Sequence, residues 1–416
     1  MAVPKLDVFL AATQQITLRD LSTTDLLNEL QRRRDAVLGE FAGESLVPGF
    51  FGGLAHERLR RLLVQLLGPE EGEQWAGRLT TGMEGDVTVE QNVALFEVAA
   101  GRQSRGEFLQ RFGHRSVNEM ELSQPRWRDD LDYVDRMIGR FRGASQSSPH
   151  ERHRAQTEMR RQAETALPTI LAQAGGASLR ELVEHEMRQA QALLPYREVG
   201  KFHLMRGYET VREVLVELGR RWRLGRDVFF LRYDELPRFE AARVAMEERI
   251  ASRKLRWKSA QKLSLPDVID SRRLEEFGRP RPVMATGDQT QWECRPIASG
   301  VARGTARVVF DPCEVTDLGR DAILVCPSTD PGWTPLFVNA RGLIVERGGV
   351  LSHGAIVARE FGIPAVVLEA ATQRIADGSQ IELDANHGVV TLRTAPNSVT
   401  SVPAAIRGVT SLPEGR

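Results

Sequence analysis

Between Gly342 and Val367 the chain reads GLIVERGGVLSHGAIVAREFGIPAVV, and this stretch constrains the surrounding fold more than any other. The run from Gly342 to Arg347 predicts a short buried strand, Gly348-Gly349 a tight turn, and Ser352 an N-cap that puts His353 at the first position of a helix. That helix is expected to end near Phe361, because Gly362 supplies a C-terminal cap and Pro364 prevents continuation before a second strand, Ala365 to Leu368. An imidazole so placed sits among unpaired helix N-terminal amides and beside glycines that let backbone approach. The arrangement suits an anion carried on the ring. Geometry alone is equally compatible with His353 being an ordinary first residue of a helix.

The pattern GG-x-LSHGAIVARE-x-GIPAVV, preceded by CPSTDPGWTPLF from Cys326 to Phe337, resembles the phosphohistidine swivelling domain of phosphoenolpyruvate-utilising enzymes. That family includes phosphoenolpyruvate synthase, pyruvate phosphate dikinase and rifampin phosphotransferase, and the resemblance spans Pro296 to Leu392. It implies that His353 is phosphorylated at one site and discharged at another. Gly348, Gly349, Ser352 and Thr329 are then the phosphate-binding candidates of this region.

A chain of 416 residues has room for two or three domains. Apolar residues make up 41% and charged residues 27%, with 56 acids balancing 56 bases, so no nucleic-acid or membrane surface is expected. Three scattered cysteines, Cys294, Cys313 and Cys326, fit neither a disulfide framework nor a thiolate metal site. With no signal-like start and no apolar span of bilayer length, a cytoplasmic setting is expected.

The expected fold is multidomain, α plus α/β: a mostly helical substrate-binding domain over 1–262, a linker over 263–294, the α/β phosphohistidine domain over 295–395 and a disordered tail over 396–416. In the helical part, Leu26, Leu27, Leu30, Val37, Leu38 and Phe41 recur at helical spacing behind Ser22-x-x-Asp25, and Leu59, Leu62, Leu63, Leu66 and Leu67 form a second stripe. Thr88-x-x-Gln91 and Ser104-x-x-Glu107 read as helix starts, with Gly101 and Gly113 as stops. Ser148-Pro149 opens a charged helix from about His150 to Leu167, solvated in character, followed by a small-residue break over 166–176. His150 and His153 in it read as surface histidines, because no third metal ligand stands near.

The segment Tyr196 to Arg223 reads as one long helix or two stacked ones. Arg197 and Lys201 fall four apart, a like-charged pair costing a few tenths of a kcal/mol, and Gly200 inside a helix costs about 1 kcal/mol more. Such choices stacked together suggest a compensating phosphate or carboxylate, although two exposed cations explain them as well. R-x-x-x-K also resembles rifampin phosphotransferase, where it faces the incoming phosphohistidine, which implies catalytic roles for Arg197 and Lys201. The run HRSVNEMELSQPRW resembles the substrate domain of the same enzymes and implies substrate or phosphate contacts for Arg115 and Glu119, with Arg126 the third matching residue. Asp234 and Glu235 read as helix-capping acids, or as a base for a substrate hydroxyl.

Residues 264–294 shift to Pro, Gly and charge, and about 30 residues of linker reach at most about 100 Å, enough for a carrier to move between remote sites. In rifampin phosphotransferase an ATP-grasp domain precedes the helical domain, whereas no Gly-rich phosphate loop precedes it here. The expectation is therefore the carrier and substrate subunit of a split dikinase. A separate ATP-grasp protein, holding ATP and Mg²⁺, would load His353 with the β-phosphoryl group, and a small-molecule hydroxyl or enol would accept it. A non-phosphoryl natural-product enzyme and a non-catalytic binding protein are the two alternatives.

Overall fold

The computed structural model describes residues 2–142, 148–261, 271–276, 290–315, 317–319, 321–350 and 352–394. Among the described residues, one compact unit takes in 2–17, 31–212 and 290–394, and a second takes in 18–30 and the described part of 213–289. Most of the expected linker and the whole expected tail lie outside the described residues.

The helices are α1 (Ala2–Gln14), α2 (Thr23–Arg34), α3 (Ala42–Leu67), α4 (Pro69–Leu79), α5 (Val87–Ala99), α6 (Arg105–Phe112) and α7 (Leu131–Arg142). They continue with α8 (Pro149–Gln173), α9 (Arg180–Leu193), α10 (Tyr196–Arg221), α11 (Arg243–Ala260), α12 (Thr334–Phe337), α13 (His353–Phe361) and α14 (Ala371–Arg374). Side-chain caps open α5, α6, α8 and α13, whereas α3, α4, α9, α11, α12 and α14 begin without one. Ser104 with Glu107 and Ser148 with Glu151 form reciprocal capping boxes, the second with Pro149 in the first turn.

Three expectations for the helices are corrected. The cap of α5 is Asp86, whose carboxylate accepts the Thr88 amide, rather than Thr88. Helix α8 does not break at 166–176 but runs through Pro168 to Gln173, burying Leu167 and Leu171 against α3 and α4 residues such as Leu63 and Trp75. Burial of that stripe outweighs the local cost of the proline. Segment 196–221 is the one long helix expected, but the reason for Gly200 is packing and not a ligand: a Cβ there would lie 2.2 Å from the Ser45 carbonyl oxygen of α3. Gly49 on α3 makes the matching approach, since its Cβ would lie 2.8 Å from Arg197 Cα.

The α/β part is one mixed sheet of β1 (Gln291–Glu293), β2 (Arg295–Ala298), β3 (Val301–Val308), β4 (Ala322–Cys326), β5 (Ala340–Val345), β6 (Ala365–Val367), β7 (Gln380–Asp384) and β8 (Val389–Thr394). Its order is β1-β8-β7-β3-β4-β5-β6-β2, with β3, β4, β5 and β6 parallel and the remaining pairs antiparallel. Strand β4 is apolar along its length, and β5 is buried and uncharged beyond Arg341, because both faces are covered. Ile323, Val325 and Ile344 point to one face, packed on Ala371 of α14. Leu324, Cys326, Leu343 and Val345 point to the other, where Ala355, Val357 and Ala358 of α13 cover them. β1 lies in the span read as linker; its Gln-Trp-Glu alternation buries Trp292.

The apolar cluster on the α13 face continues without a break into the helical part of the same unit. Ala355, Val357 and Phe337 share it with Leu95, Phe108, Phe112, Trp127, Tyr133 and Phe202. Polar contacts register the junction: Asp330 accepts the Asn118 amide at 2.7 Å, and the Tyr133 hydroxyl donates to the Gly332 carbonyl at 2.6 Å. The short segment Pro331–Trp333, capped by Asp330, leads into α12.

In the second unit, Trp222 stacks on Phe239 at 4.5 Å, and Glu235 is held by Arg249 and Arg253. Those arginines draw the Glu235 carboxyl down to about 2, against burial, so it serves as the reciprocal cap of the turn at Tyr233–Arg238. Asp234 is exposed there.

Candidate phosphohistidine site

Ser352 caps α13 by accepting the Ala355 amide, so His353 is the first helical residue, and Gly362 closes the helix with φ 65°. Gly348 adopts φ 151°, a backbone open to glycine, and its carbonyl accepts from Arg295. Gly349 accepts the Ser352 amide and completes the turn. Thr329 packs where α13 begins: a Cβ on Gly354 would sit 2.6 Å from its Oγ1. Strand, turn, cap and helix thus bring Gly348, Gly349, Ser352, His353 and Thr329 into one corner.

His353 is only 7% exposed. Its Nε2 lies 3.2 Å from Thr334 Oγ1, and its Nδ1 lies 3.4 Å from Glu198 Oε2, off line for a strong hydrogen bond. A carboxylate beside Nδ1 favours the proton there and leaves the Nε2 lone pair available, with the Thr334 hydroxyl donating to it. Glu198 also accepts from the Thr88 hydroxyl at 3.5 Å. Burial pushes the Glu198 carboxyl up, but His353, Lys201 and Arg115 outweigh it and hold the group well below the carboxylate range.

Behind Glu198 lies a buried ionic cluster. Arg115 donates from Nε and Nη2 to both oxygens of Glu119, at 3.0 and 3.1 Å, and from Nη1 to Gln91 at 3.0 Å. Lys201 Nζ reaches the same Glu119 at 2.9 Å. Burial alone would raise Glu119; the two cations draw it down to about 2. Burial likewise opposes the charge on Lys201, and Glu119 and Glu198 overcome it, so the ammonium persists above its ordinary range. An ammonium has three N–H groups and Glu119 takes one, which leaves Lys201 able to meet an anion arriving at His353.

Among the residues singled out from sequence, His353, Lys201, Glu119 and Arg115 are brought together. Arg115 is wholly buried and faces Glu119 and Gln91. Arg197 is exposed and stands next to buried Glu198 on α10, with no contact to His353. Arg126 is buried and donates to Ser116 and to the Glu119 carbonyl, supporting the loop that presents Glu119. His203 pairs with Arg206. His153 is not a surface histidine: it is partly buried, with Nδ1 2.8 Å from Glu360 of α13. His150 is exposed. Among the described residues no group of three or more His, Cys, Asp or Glu is placed to hold a metal.

Two residues of the site escaped the sequence reading. Glu198 leaves a signal, because it occupies the same face as Phe202 and Met205, where an apolar residue is expected. Thr334 leaves none beyond its place in the CPSTDPGWTPLF run.

Comparison with known proteins identifies the two halves of this site. Residues 318–388 match the mobile domain of PEP-utilising enzymes and residues 101–198 match the fourth domain of rifampicin phosphotransferase, so the chain carries both. His353 comes from the first and Glu119 and Glu198 from the second. Similar proteins include rifampicin phosphotransferases from Streptomyces sviceus, 28% identical over 367 residues covering 76% of this chain and 42% of that protein, and from Streptomyces sp, 32% identical over 331 residues covering 75% and 37%. The prodigiosin synthesizing transferase PigC of Serratia marcescens is 31% identical over 307 residues, covering 69% of this chain and 33% of that protein. The chain thus spans about two fifths of the length of the rifampicin phosphotransferases named.

Proposed function

We propose that this chain is a phosphotransferase component in which His353 carries a phosphoryl group and delivers it to a small-molecule hydroxyl or enol held by the helical part. The observation that supports the reading best is the pairing of His353 Nδ1 with Glu198 while Nε2 faces Thr334. In loading, Nε2 attacks the β-phosphorus of ATP, an N–P bond forms as the α–β P–O bond breaks and AMP leaves, and water cleaves the β–γ P–O bond to release phosphate. In delivery, the acceptor oxygen attacks phosphorus, the N–P bond breaks, and the acceptor proton is released as neutral imidazole is restored. Glu198 keeps a proton on Nδ1 so that the ring departs as neutral imidazole, and Lys201, with Arg197 beside the site, offsets charge on the phosphoryl oxygens. The amides at the start of α13 hold the group on the ring.

In this reading ATP and Mg²⁺ are bound mainly by a separate ATP-grasp protein in a cytoplasmic setting. His353 is too buried in the docked arrangement to meet such a partner, so the α/β part must leave its dock to be loaded. The similarity to a prodigiosin synthesizing transferase favours an acceptor from natural-product chemistry. Leu46, Val47, Phe50, Phe51 and Leu54 expose an apolar face of α3 beside Arg197, which suits a bulky apolar acceptor. The test is incubation of the chain and a candidate ATP-grasp partner with β-³²P ATP. Acid-labile label that requires the partner and disappears in His353→Ala supports the reading; absence of label with an active partner refutes it.

A further inference from the structure

Glu360 lies two helical turns beyond His353 on the same face of α13. It sits in the last turn, where the helix dipole disfavours a carboxylate, and it is buried. Both oxygens are used by the helical part. Oε1 accepts the Gly82 amide at 2.9 Å, and Oε2 faces His153 Nδ1 at 2.8 Å. Gly82 is itself fixed: with φ 56° and a Cβ that would meet the Thr157 amide nitrogen at 2.3 Å, it must be glycine, and its carbonyl accepts the Thr157 hydroxyl at 3.1 Å. A desolvated carboxylate at this end of α13 is compensated only in one register, with Gly82 and His153 opposite it.

We propose that Glu360 is a docking latch, a positioning residue that through His153 and the Gly82 amide sets the register in which α13 meets the helical part and so brings His353 to Glu198. The inference rests on reading His353 as a carrier that docks and undocks. The latch also connects to the site, because Asp86 near Glu360 caps α5 through Thr88, whose hydroxyl reaches Glu198.

The charged groups around the latch are Asp86 from the α5 cap, Glu198 from α10, Arg152 and Arg160 from α8, and Arg359 from α13 itself. Glu360 holds His153 charged to higher pH despite its burial, while burial and the Glu360 and Glu198 carboxylates push Asp86 up to about 7. Raising the pH therefore discharges His153 and ionises Asp86. Both changes favour undocking.

The test is ethoxycarbonylation of the full chain by diethyl pyrocarbonate, with the rate at His353 read by peptide mass spectrometry against exposed His150. The latch predicts protection of His353 near pH 6 that weakens toward pH 8.5. Glu360→Gln should raise the His353 rate about tenfold near pH 6 and flatten the pH profile, and His153→Gln should act in the same direction. A folded Glu360→Gln chain with wild-type protection and the wild-type profile would overturn the latch, as would wild-type His353 reacting like His150 at every pH. If Glu360→Gln does not fold, His153→Gln alone decides. Loss of phosphoryl loading with the protection pattern intact would refute the carrier reading and leave the latch standing.

Discussion

Replacing Glu198 by Gln separates loading from delivery. At 3.4 Å and nearly full burial, a carboxylate and a charged imidazole attract by about 5 kcal/mol at an effective dielectric of about 20. The contact is off line, and glutamine retains a weak acceptor for Nδ1–H, so about half of that is expected to be lost. A loss of about 2–3 kcal/mol in the transition state slows delivery by about 10²-fold. In the proposed cycle loading takes place with the α/β part undocked, away from Glu198, so it should stay within about twofold of wild type. The assay loads His353 with ³²P, removes nucleotide, and follows discharge of label in a single turnover, alongside the loading rate with the ATP-grasp partner. Equal slowing of both steps, or unchanged discharge, would refute the assignment of Glu198 to the docked site.

Arg115→Met leaves Glu119 buried with Lys201 alone, and should cost about 3–5 kcal/mol in urea unfolding, whereas exposed Arg197→Gln should change stability by less than about 0.5 kcal/mol while slowing delivery. Gly200→Ala gains about 1 kcal/mol of helix propensity but drives a methyl to 2.2 Å from the Ser45 carbonyl, so a net loss of about 2 kcal/mol is expected by thermal unfolding. Asp86 is pushed up to about 7 by burial and by Glu360 and Glu198, so the folded state holds its proton more tightly than the unfolded chain. Its contribution is fully present below about pH 4 and lost as pH rises through about 7. Asp86→Asn, which keeps the cap, should match wild type near pH 4 and exceed it near pH 8, by up to about 4 kcal/mol; a gap that does not widen with pH would contradict this.

Local chemistry carried much of the fold into the sequence. Ser104 with Glu107, Ser148 with Pro149 and Glu151, and Gly362 each fix a helix end with neighbours only a few residues away. The buried part of β5 announces itself by the apolar run Leu343-Ile344-Val345 after Gly342. What stayed hidden depends on distant partners. β1 pairs with β8 nearly a hundred residues later in the chain, and a three-residue edge strand has too little pattern to stand out. Gly200 looked like a cost awaiting a ligand, because the Ser45 carbonyl that requires it lies on another helix. His153 looked solvated because its partner, Glu360, lies in the α/β part. The cap and flanking glycines place His353 at a helix start but leave it equally an ordinary helix residue, and only the resemblance of the surrounding motif singles it out, while Glu198 could be recognised only once its burial was known.

The most direct test of the account is the position of the phosphoryl group on the ring. The chain, ¹⁵N-labelled at histidine, is loaded with phosphoramidate or through the ATP-grasp partner and examined by long-range ¹H–¹⁵N correlation, with His353→Ala as the control. The account predicts a single phosphohistidine at His353 with phosphorus on Nε2 and a proton on Nδ1. Phosphorus on Nδ1, or on any histidine that survives in His353→Ala, would contradict it.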